Sequence, residues 1–266
     1  MSWQIMGIHI FPNSNINSEG RFGNQFFRNM ASHFIAKRHN LKYTYCGSEY
    51  FKMMGIYFFE NGTNFYPETN TILTDQNFMN YITSDEDQYK PENMKTNISM
   101  HLIFCQTPEF TKYLKDYFNE PVNKLKIIKA NPFKELYNAT FANGNNDLFV
   151  HVRLGDVPQH SPGYDYYDKL IGSLKFDKGY IASDSIGNEI CKKLIEKYKL
   201  QIFNGNEIQI VQFASTCKYL VLSNGTFSWM MAFFAYFTQY IYYPKMKNIW
   251  HGDIYTGFDN WKCVDW

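Results

Sequence analysis

The chain has 266 residues, so one large domain or two smaller ones are both compatible with its length. Apolar residues make up 45% of the chain, which excludes general disorder, and 26 Lys and Arg against 25 Asp and Glu leave no net field for holding nucleic acid. Five widely spaced cysteines without a CxxC pair argue against a disulfide framework and a zinc site and favour a reducing compartment.

The first predicted element is a strand at Ile5–Phe11. The N-terminal segment MSWQIMGIHIF has no basic flank, long apolar stretch or small-residue cleavage site, so no signal peptide is predicted and a cytoplasmic protein, in bacterial or viral-host cytosol, is expected. Apolar pairs at helical spacing predict a helix over Asn24–His39, and alternation predicts a strand over Leu41–Cys46. This order of elements is typical of a parallel sheet.

Two further helices are predicted at Glu109–Phe118 and Asn123–Leu136. The Asn/Gly cluster Asn143–Asn146 then breaks the pattern, and we place a domain boundary there. The predicted domains are an N-terminal lobe, 1–145, and a C-terminal lobe, 146–266, with roughly the stretch 247–266 as a candidate for packing back on the first lobe.

The second lobe alternates short apolar runs with helical segments, which indicates an α/β domain with buried strands. The apolar run Phe227–Tyr243 is interrupted by polar residues and is slightly short for a bilayer, so it predicts a buried helix and strand and no membrane span. The predicted helices are Glu189–Tyr198 and Phe227–Phe237, and the predicted strands are Leu148–Val152, Tyr180–Ala182, Ile208–Gln212, Leu220–Leu222 and Tyr240–Tyr243.

The segment His151–Asp156, with the sequence HVRLGD, closes one of these strands. In α/β folds ligands bind at the carboxyl ends of strands, and an Arg there can make paired hydrogen bonds to a phosphate. Gly155 would permit close backbone approach, and Asp156 could orient Arg153 or a sugar hydroxyl. The alternative is an Arg–Asp ion pair that pins a loop, and His151 taken alone is more often a core histidine than a catalyst.

Two other segments have the composition of ligand loops. Ser223–Trp229 runs from a strand end into a helix start, where exposed amides form an anion site, although simple N-capping is the commoner use of such residues. Gly20–Gln25 places Gly20 and Gly23 around Arg21, a pattern of a tight loop whose backbone faces a ligand, while Asn24 or Gln25 can cap the following helix or bind hydroxyl groups.

Together these segments resemble the motifs of the α1,2-fucosyltransferases. GRFGNQFF at 20–27 resembles their GRLGNQMF signature, HVRLGD at 151–156 resembles HVRRGD, and SNGTFSWMMAFF at 223–234 resembles SNSTFSWWAA. A looser similarity joins Tyr180–Asp184 to an FSDD-type strand end. The matches occur in the family's order, which makes the set more specific than any one motif.

The resemblance implies a GT-B glycosyltransferase with two Rossmann-like domains facing a cleft. It implies an inverting transfer of fucose from GDP-fucose to a hydroxyl of an oligosaccharide or glycoprotein acceptor, without metal and with no cofactor besides the nucleotide-sugar co-substrate. Arg153 would hold the donor pyrophosphate and stabilise the leaving group. The other nucleotide-sugar residues implied are His151, Asp184, Ser223, Thr226, Phe227 and Ser228 in the second lobe and Arg21, Gly23, Asn24 and Gln25 in the first.

One departure from the family motif leaves the identity of the sugar donor undecided. Leu154 stands where the family has a second Arg, although protein O-fucosyltransferases resemble the single-Arg pattern seen here. A related transferase that uses UDP-xylose or a rhamnose donor is therefore an alternative, and a nucleotide- or glycan-binding module without catalysis is a second one.

The acceptor base and a metal site have weaker sequence signals. Asp156 or an acidic residue of the loop Pro158–Asp168 could serve as the base, and the tyrosines of this loop could stack on sugar faces or form a surface turn. Asp85-Glu86-Asp87 matches a DxD pattern, but it lies in a polar stretch that predicts a solvated loop. No metal ligands are therefore assigned.

Overall fold

The computed structural model describes residues 21–67, 69–100, 103–137, 145–155, 158–246 and 252–266. The predicted strand at Ile5–Phe11, Gly20 and Asp156 lie outside the described residues. The described chain is mixed α/β with a parallel sheet, so the predicted α/β class is confirmed. It divides into two compact units, here called unit 1 (within 1–52, 56–118 and 251–254) and unit 2 (within 53–55, 119–250 and 255–266).

Unit 1 is built around one long buried helix. Its side chains Phe26, Phe27 and Phe34 are almost fully buried, and the ring of Phe27 lies 6.4 Å from that of Phe110. The sheet of this unit has two short parallel strands. In chain order the elements are α1 (Phe22–His39), α2 (Ser48–Met53), β1 (Asn70–Ile72), α3 (Phe78–Thr83), a 3₁₀ turn (Asp87–Tyr89), β2 (Asn97–Ser99) and α4 (Pro108–Asn119).

The strand predicted at Leu41–Cys46 is not formed as such. Leu41, Tyr43 and Tyr45 are buried and the residues between them are exposed, as the alternation predicted. Within the described part of the chain, however, only Leu41 makes a β-bridge, with Asn64. Alternation reports which side chains are buried, and it does not supply a partner strand.

Unit 2 contains a six-stranded sheet in which all pairs are parallel. The strand order is β5-β4-β3-β6-β7-β8, which is the 3-2-1-4-5-6 order of doubly wound α/β folds. In chain order the elements are α5 (Pro121–Ala130), β3 (Leu148–Val152), a 3₁₀ turn (Pro158–His160), α6 (Gly163–Ser173), β4 (Gly179–Ser183), α7 (Glu189–Tyr198), β5 (Gln201–Ile202), α8 (Glu207–Ala214), β6 (Tyr219–Val221), α9 (Thr226–Phe233), β7 (Tyr240–Pro244) and β8 (Trp261–Val264).

Strand β3 lies at the centre of this sheet and is buried along its whole length. Leu148, Val150 and Val152 join one apolar cluster with residues of α6 and α7. Phe149 faces the other way, where its ring lies 6.0 Å from that of Phe213 on α8. Helices therefore cover both faces, as burial of parallel strands requires.

Helix α8 corrects one prediction, because Ile208–Gln212 was expected to be a strand. Asn206 Oδ1 accepts a hydrogen bond from Gln209 N, and Gln209 Oε1 accepts one from Asn206 N, so a capping box starts a helix here. The apolar run Phe227–Tyr243 forms the buried helix α9 and the strand β7, as expected. Among the described residues, no helix has the length and apolar character needed to cross a membrane.

The division into units lies between Phe118 and Asn119, earlier than the predicted 145/146. Helix α5 and the turn after it join unit 2 through buried hydrogen bonds. Asn131 Nδ2 donates to Gln212 O (2.9 Å) and to Ser215 Oγ (3.2 Å), and the hydroxyls of Tyr137 and Ser215 are 2.8 Å apart. Of the C-terminal stretch 247–266, residues 255–266 belong to unit 2, where β8 pairs with β7. Among the described residues of this stretch, 252–254 group with unit 1.

Candidate functional site

The candidate site lies at the carboxyl ends of β3 and β6, which are neighbours in the sheet of unit 2. The chain leaves β3 towards β4 on one side and leaves β6 towards β7 on the other, so the strand order reverses between them. In doubly wound sheets this switch point opens a crevice in which ligands bind. Arg153 follows β3, and residues 222–225 connect β6 to α9.

The structure brings Arg153 directly against the start of α9. A Cβ atom at Gly225 would lie 3.3 Å from Arg153 Cζ and 3.7 Å from its Cδ, and it would overlap the guanidinium nitrogen Nη1. Gly225 also has φ 105 and ψ 163, a conformation that is essentially restricted to glycine. Both the close contact and the backbone conformation therefore require glycine at this position, and the contact places the guanidinium on the backbone of the helix start.

The N terminus of α9 has the properties of an anion site. Amides of the first helical turn have no acceptor within the helix, and the helix dipole makes this end positive. Gly225 is the N-cap residue, so the cap position itself carries no side chain that could bond to the first-turn amides. The N-cap position is thus held by Gly225 and not by a Ser, Asn or Thr of the segment. A guanidinium beside the amides of the first helical turn suits a phosphate.

His151 and Ser228 join β3 to the first turn of α9. His151 Nδ1 lies 2.7 Å from Ser228 Oγ, and the imidazole ring packs 5.3 Å from the ring of Phe227. His151 is only 5% exposed and Ser228 is fully buried. The pair thus fixes the register of the helix start against the strand, which is the core-histidine alternative considered above.

Asp184 follows β4 and holds the loop that carries Arg153. Its Oδ1 accepts hydrogen bonds from Leu154 N (2.9 Å) and Gly155 N (3.1 Å). Two amide donors on one carboxylate oxygen restrict the backbone that directly follows Arg153. Leu154, in the place of the family's second Arg, is 7% exposed and belongs to the apolar cluster of β3, α6 and α7.

The tyrosine-rich loop considered for acceptor stacking is mostly helix α6, and this corrects part of that prediction. Tyr166 and Tyr167 are buried, so neither ring presents a face to a sugar. Tyr166 OH donates to Leu222 O (3.0 Å), directly below the candidate site. Burial raises the pKa of Tyr167.

Asp168 and Asp165 were the acidic residues of the same loop. Asp168 accepts hydrogen bonds from Lys197 Nζ (2.7 Å) and Tyr198 OH (2.7 Å), and these contacts lower its pKa and join α6 to α7. Asp165 is exposed on α6. Asp156, the other predicted base, lies outside the described residues, so that assignment stays a prediction.

Two residues near the site were missed by the sequence analysis. Asn224 Nδ2 donates to His160 O (2.6 Å), which joins the Pro158–His160 turn to the loop after β6. Tyr255 OH donates to Gly225 O (2.9 Å), although the two residues are 30 positions apart. Asn224 lies inside the Ser223–Trp229 segment but was given no role of its own in the predicted site, whereas no local pattern connects Tyr255 to the site.

The predicted residues of the first lobe lie together at the start of α1 in unit 1. Arg21 is exposed, and its carbonyl oxygen accepts hydrogen bonds from Asn24 N (2.8 Å) and Gln25 N (3.1 Å). Gly23 is buried. Asn24 Oδ1 accepts a hydrogen bond from Gln106 Nε2 (3.0 Å), and Gln106 is a polar neighbour that the motif did not indicate.

No protein-family model, curated protein or solved structure matches this chain. Within the described ranges, no group of three or more His, Cys, Asp and Glu side chains is arranged to hold a metal ion. The Asp85-Glu86-Asp87 segment lies partly in the 3₁₀ turn of unit 1, where Asp85 is fully exposed beside Arg38 and Asp87 pairs with Lys90.

Proposed function

We propose that the protein is a glycosyltransferase that holds a nucleotide-activated sugar at the carboxyl end of the unit 2 sheet. The observation that carries the proposal is the position of Arg153, whose guanidinium packs on Gly225 at the N terminus of α9. The position at the switch point between β3 and β6 adds support, because this is where doubly wound sheets bind nucleotides. GDP-fucose is the preferred donor, through the motif resemblance.

The proposed reaction is an inverting transfer to a hydroxyl of a glycan acceptor. The acceptor oxygen forms a bond to the anomeric carbon, the bond from that carbon to the diphosphate oxygen breaks, and the electron pair leaves with the nucleoside diphosphate. The acceptor proton passes to a base, for which Asp156 stays the candidate. Arg153 and the first-turn amides of α9 stabilise the negative charge that develops on the leaving group, and this grip needs no metal ion.

In this proposal the two units are the lobes of a GT-B enzyme. Unit 2 would serve the nucleotide sugar, and unit 1 would serve the acceptor and contribute Arg21, Asn24 and Gln25. Support for unit 2 comes from its strand order. The role of unit 1 rests on the resemblance of its GRFGNQFF segment to the family motif.

A binding module without catalysis is the second candidate. The observation in its favour is that Leu154 is packed in the apolar cluster and supplies no charge, so one of the two cationic contacts of the family motif is absent at this position. Such a module would bind the nucleotide at the same place and would neither transfer nor hydrolyse the sugar.

The experiment combines a thermal-shift panel with transfer assays. GDP, UDP and dTDP, each free and as nucleotide sugars, are added to the wild type, Arg153→Ala, Arg153→Lys and the control Lys169→Ala, which removes an exposed cation of α6. Selective binding raises the melting temperature through mass action. We expect GDP and GDP-fucose to stabilise the wild type and Lys169→Ala. Arg153→Ala should lose about a hundredfold or more in transfer rate, and Arg153→Lys should recover only part of it because lysine lacks the planar fork.

Each alternative has its own outcome in the same panel. Stabilisation by a UDP-sugar with no response to GDP-fucose would reject the fucose donor and keep the transferase. Binding of a nucleotide sugar without transfer or hydrolysis would support the binding module. A wild type that responds to none of the nucleotides would reject a nucleotide-sugar site altogether.

A further inference from the structure

Tyr255 lies in the chain segment that precedes β8 in unit 2. Its side chain is 2% exposed and stacks on Tyr243, with ring centroids 4.7 Å apart. Tyr243 belongs to β7, and the ring of Trp261 on the neighbouring strand β8 lies 5.8 Å from the ring of Tyr255. Packing alone would be satisfied by phenylalanine, so the buried hydroxyl needs a separate reason, because a buried hydroxyl must find a hydrogen-bond partner.

That partner is the carbonyl of Gly225. Tyr255 OH donates to Gly225 O over 2.9 Å, and the same oxygen accepts the first hydrogen bond of α9 from Trp229 N over 3.0 Å. The carbonyl of Gly225 and the N–H of Thr226 belong to one peptide unit. Donors on the carbonyl polarise that unit and strengthen the N–H as a donor, and this N–H is the first amide of the helix.

We infer that Tyr255 is a positioning residue for the diphosphate site, and that it holds and polarises the Gly225–Thr226 peptide on which the Arg153 guanidinium packs. The inference rests on the proposed function, because it takes the N terminus of α9 as the phosphate site. Tyr255 acts on the peptide at the helix start, while Asp184 holds the loop after Arg153 from the other side of the switch point. Each residue thus holds one half of the anion site, Asp184 the loop after Arg153 and Tyr255 the peptide at the helix start.

The test is the removal of one hydroxyl, in Tyr255→Phe, with a matched control. Tyr45→Phe is suitable because Tyr45 OH also donates to a backbone carbonyl, that of Phe59 at 2.7 Å, and its ring is also buried and stacked, but in unit 1. Both variants keep their rings, and circular dichroism checks that they fold. Affinities for GDP and for inorganic pyrophosphate are measured by titration calorimetry at 10 °C, well below melting, so that a modest loss of stability does not affect binding.

We expect Tyr255→Phe to weaken the binding of GDP and of pyrophosphate by the same factor, about threefold to tenfold, which corresponds to the loss of one hydrogen bond. Equal factors are expected because the change acts on the phosphate groups that the two probes share. Tyr45→Phe should bind both probes as the wild type does. Arg153→Ala should lose binding of both GDP and pyrophosphate.

The inference is overturned alone if Arg153→Ala loses binding while Tyr255→Phe binds both probes with wild-type affinity. It is also overturned if Tyr255→Phe and Tyr45→Phe weaken binding equally, because that result indicates general loosening. A wild type that binds neither GDP nor pyrophosphate rejects the phosphate site itself, and the role of Tyr255 with it.

Discussion

Units 1 and 2 hold their elements together in different ways. In unit 2 a six-stranded sheet pairs the backbone polar groups, and apolar side chains on both faces bind the helices. In unit 1 the sheet has two strands of three residues each, so polar side chains of α1 satisfy much of the surrounding backbone. These side-chain to backbone bonds are Arg28 to Met100 O, Asn29 to Cys46 O, His33 to Phe59 N, Arg38 to Ile82 O and Ser84 O, and His39 to Tyr81 O.

The difference teaches where each unit is vulnerable. In unit 2, side chains that bond to buried backbone, such as Asn131 and Tyr255, do not titrate in mild acid, whereas the buried His151, which bonds to Ser228, is a histidine of this unit. A helix whose polar side chains serve the neighbouring backbone depends on their protonation state, since each buried donor or acceptor must keep its partner. Unit 1 should therefore lose stability in mild acid through His33 and His39, and unit 2 should respond to changes of backbone geometry at its strand ends.

The largest expected effect is a loss of unit 1 stability in mild acid. His33 is 5% exposed, and its Nδ1 accepts a hydrogen bond from Phe59 N. Burial, with a smaller contribution from Lys37, lowers the pKa of His33 from 6.5 to about 4. Between these values the unfolded state binds the proton and the folded state does not, so stability falls as pH falls from about 6.5 to about 4. The linked change is about 3 kcal/mol.

Urea unfolding between pH 7 and pH 4 measures this change, and amide exchange of α1 assigns it to unit 1. In His33→Gln the amide oxygen can still accept from Phe59 N without titrating, so the decrease over this range should become smaller by a similar amount. Burial also lowers the pKa of His39, so a remainder of the same sign is expected. A wild type and a His33→Gln variant with the same pH dependence would contradict the prediction.

The second effect concerns the backbone of unit 2 at Gly225. Gly225→Ala places a Cβ on the Arg153 guanidinium and forces a non-glycine residue into a glycine-only conformation. We expect a destabilisation of about 2 kcal/mol, measured by urea unfolding, and loss of GDP binding, measured by calorimetry. The expected loss of stability is thus smaller than the loss linked to protonation of His33, but GDP binding is abolished.

Gly163→Ala is the matched control, because Gly163 also has a positive φ but has open space around its Cβ position. It should lose stability through backbone strain and keep GDP binding. A double-mutant cycle with Arg153→Ala separates the clash from the strain, since the stability loss from Gly225→Ala should shrink when the guanidinium is absent. Equal losses with and without Arg153 would show that the contact between the two residues is unimportant.

The sequence predicted the helices and strands of unit 2 better than the long-range contacts between them. Buried apolar runs located β3 and β7, and the rule that ligands bind at strand ends placed Arg153 and the Ser223–Ser228 segment in one site. The division into compact units differs from the predicted boundary at 145/146, and Asn131 bonds to Gln212 across 81 positions, which no local pattern reports. Tyr255 was missed for the same reason, whereas α8 was missed because a short apolar run fits a strand and a buried helix equally well.

The smallest expected effect tests what decides α8. Asn206 and Gln209 are both exposed, so their capping box contributes through two reciprocal hydrogen bonds and hardly through burial. Asn206→Ala should destabilise unit 2 by about 1 kcal/mol, measured by urea unfolding. Asn188→Ala is the control, because Asn188 caps α7 with one hydrogen bond, to Ile190 N, and should cost less. If Asn206→Ala and Asn188→Ala lower the free energy of unfolding equally, the capping box does not decide the structure of this segment. The burial of Ile208 and Val211 against their packing partners then selects the helix over a strand.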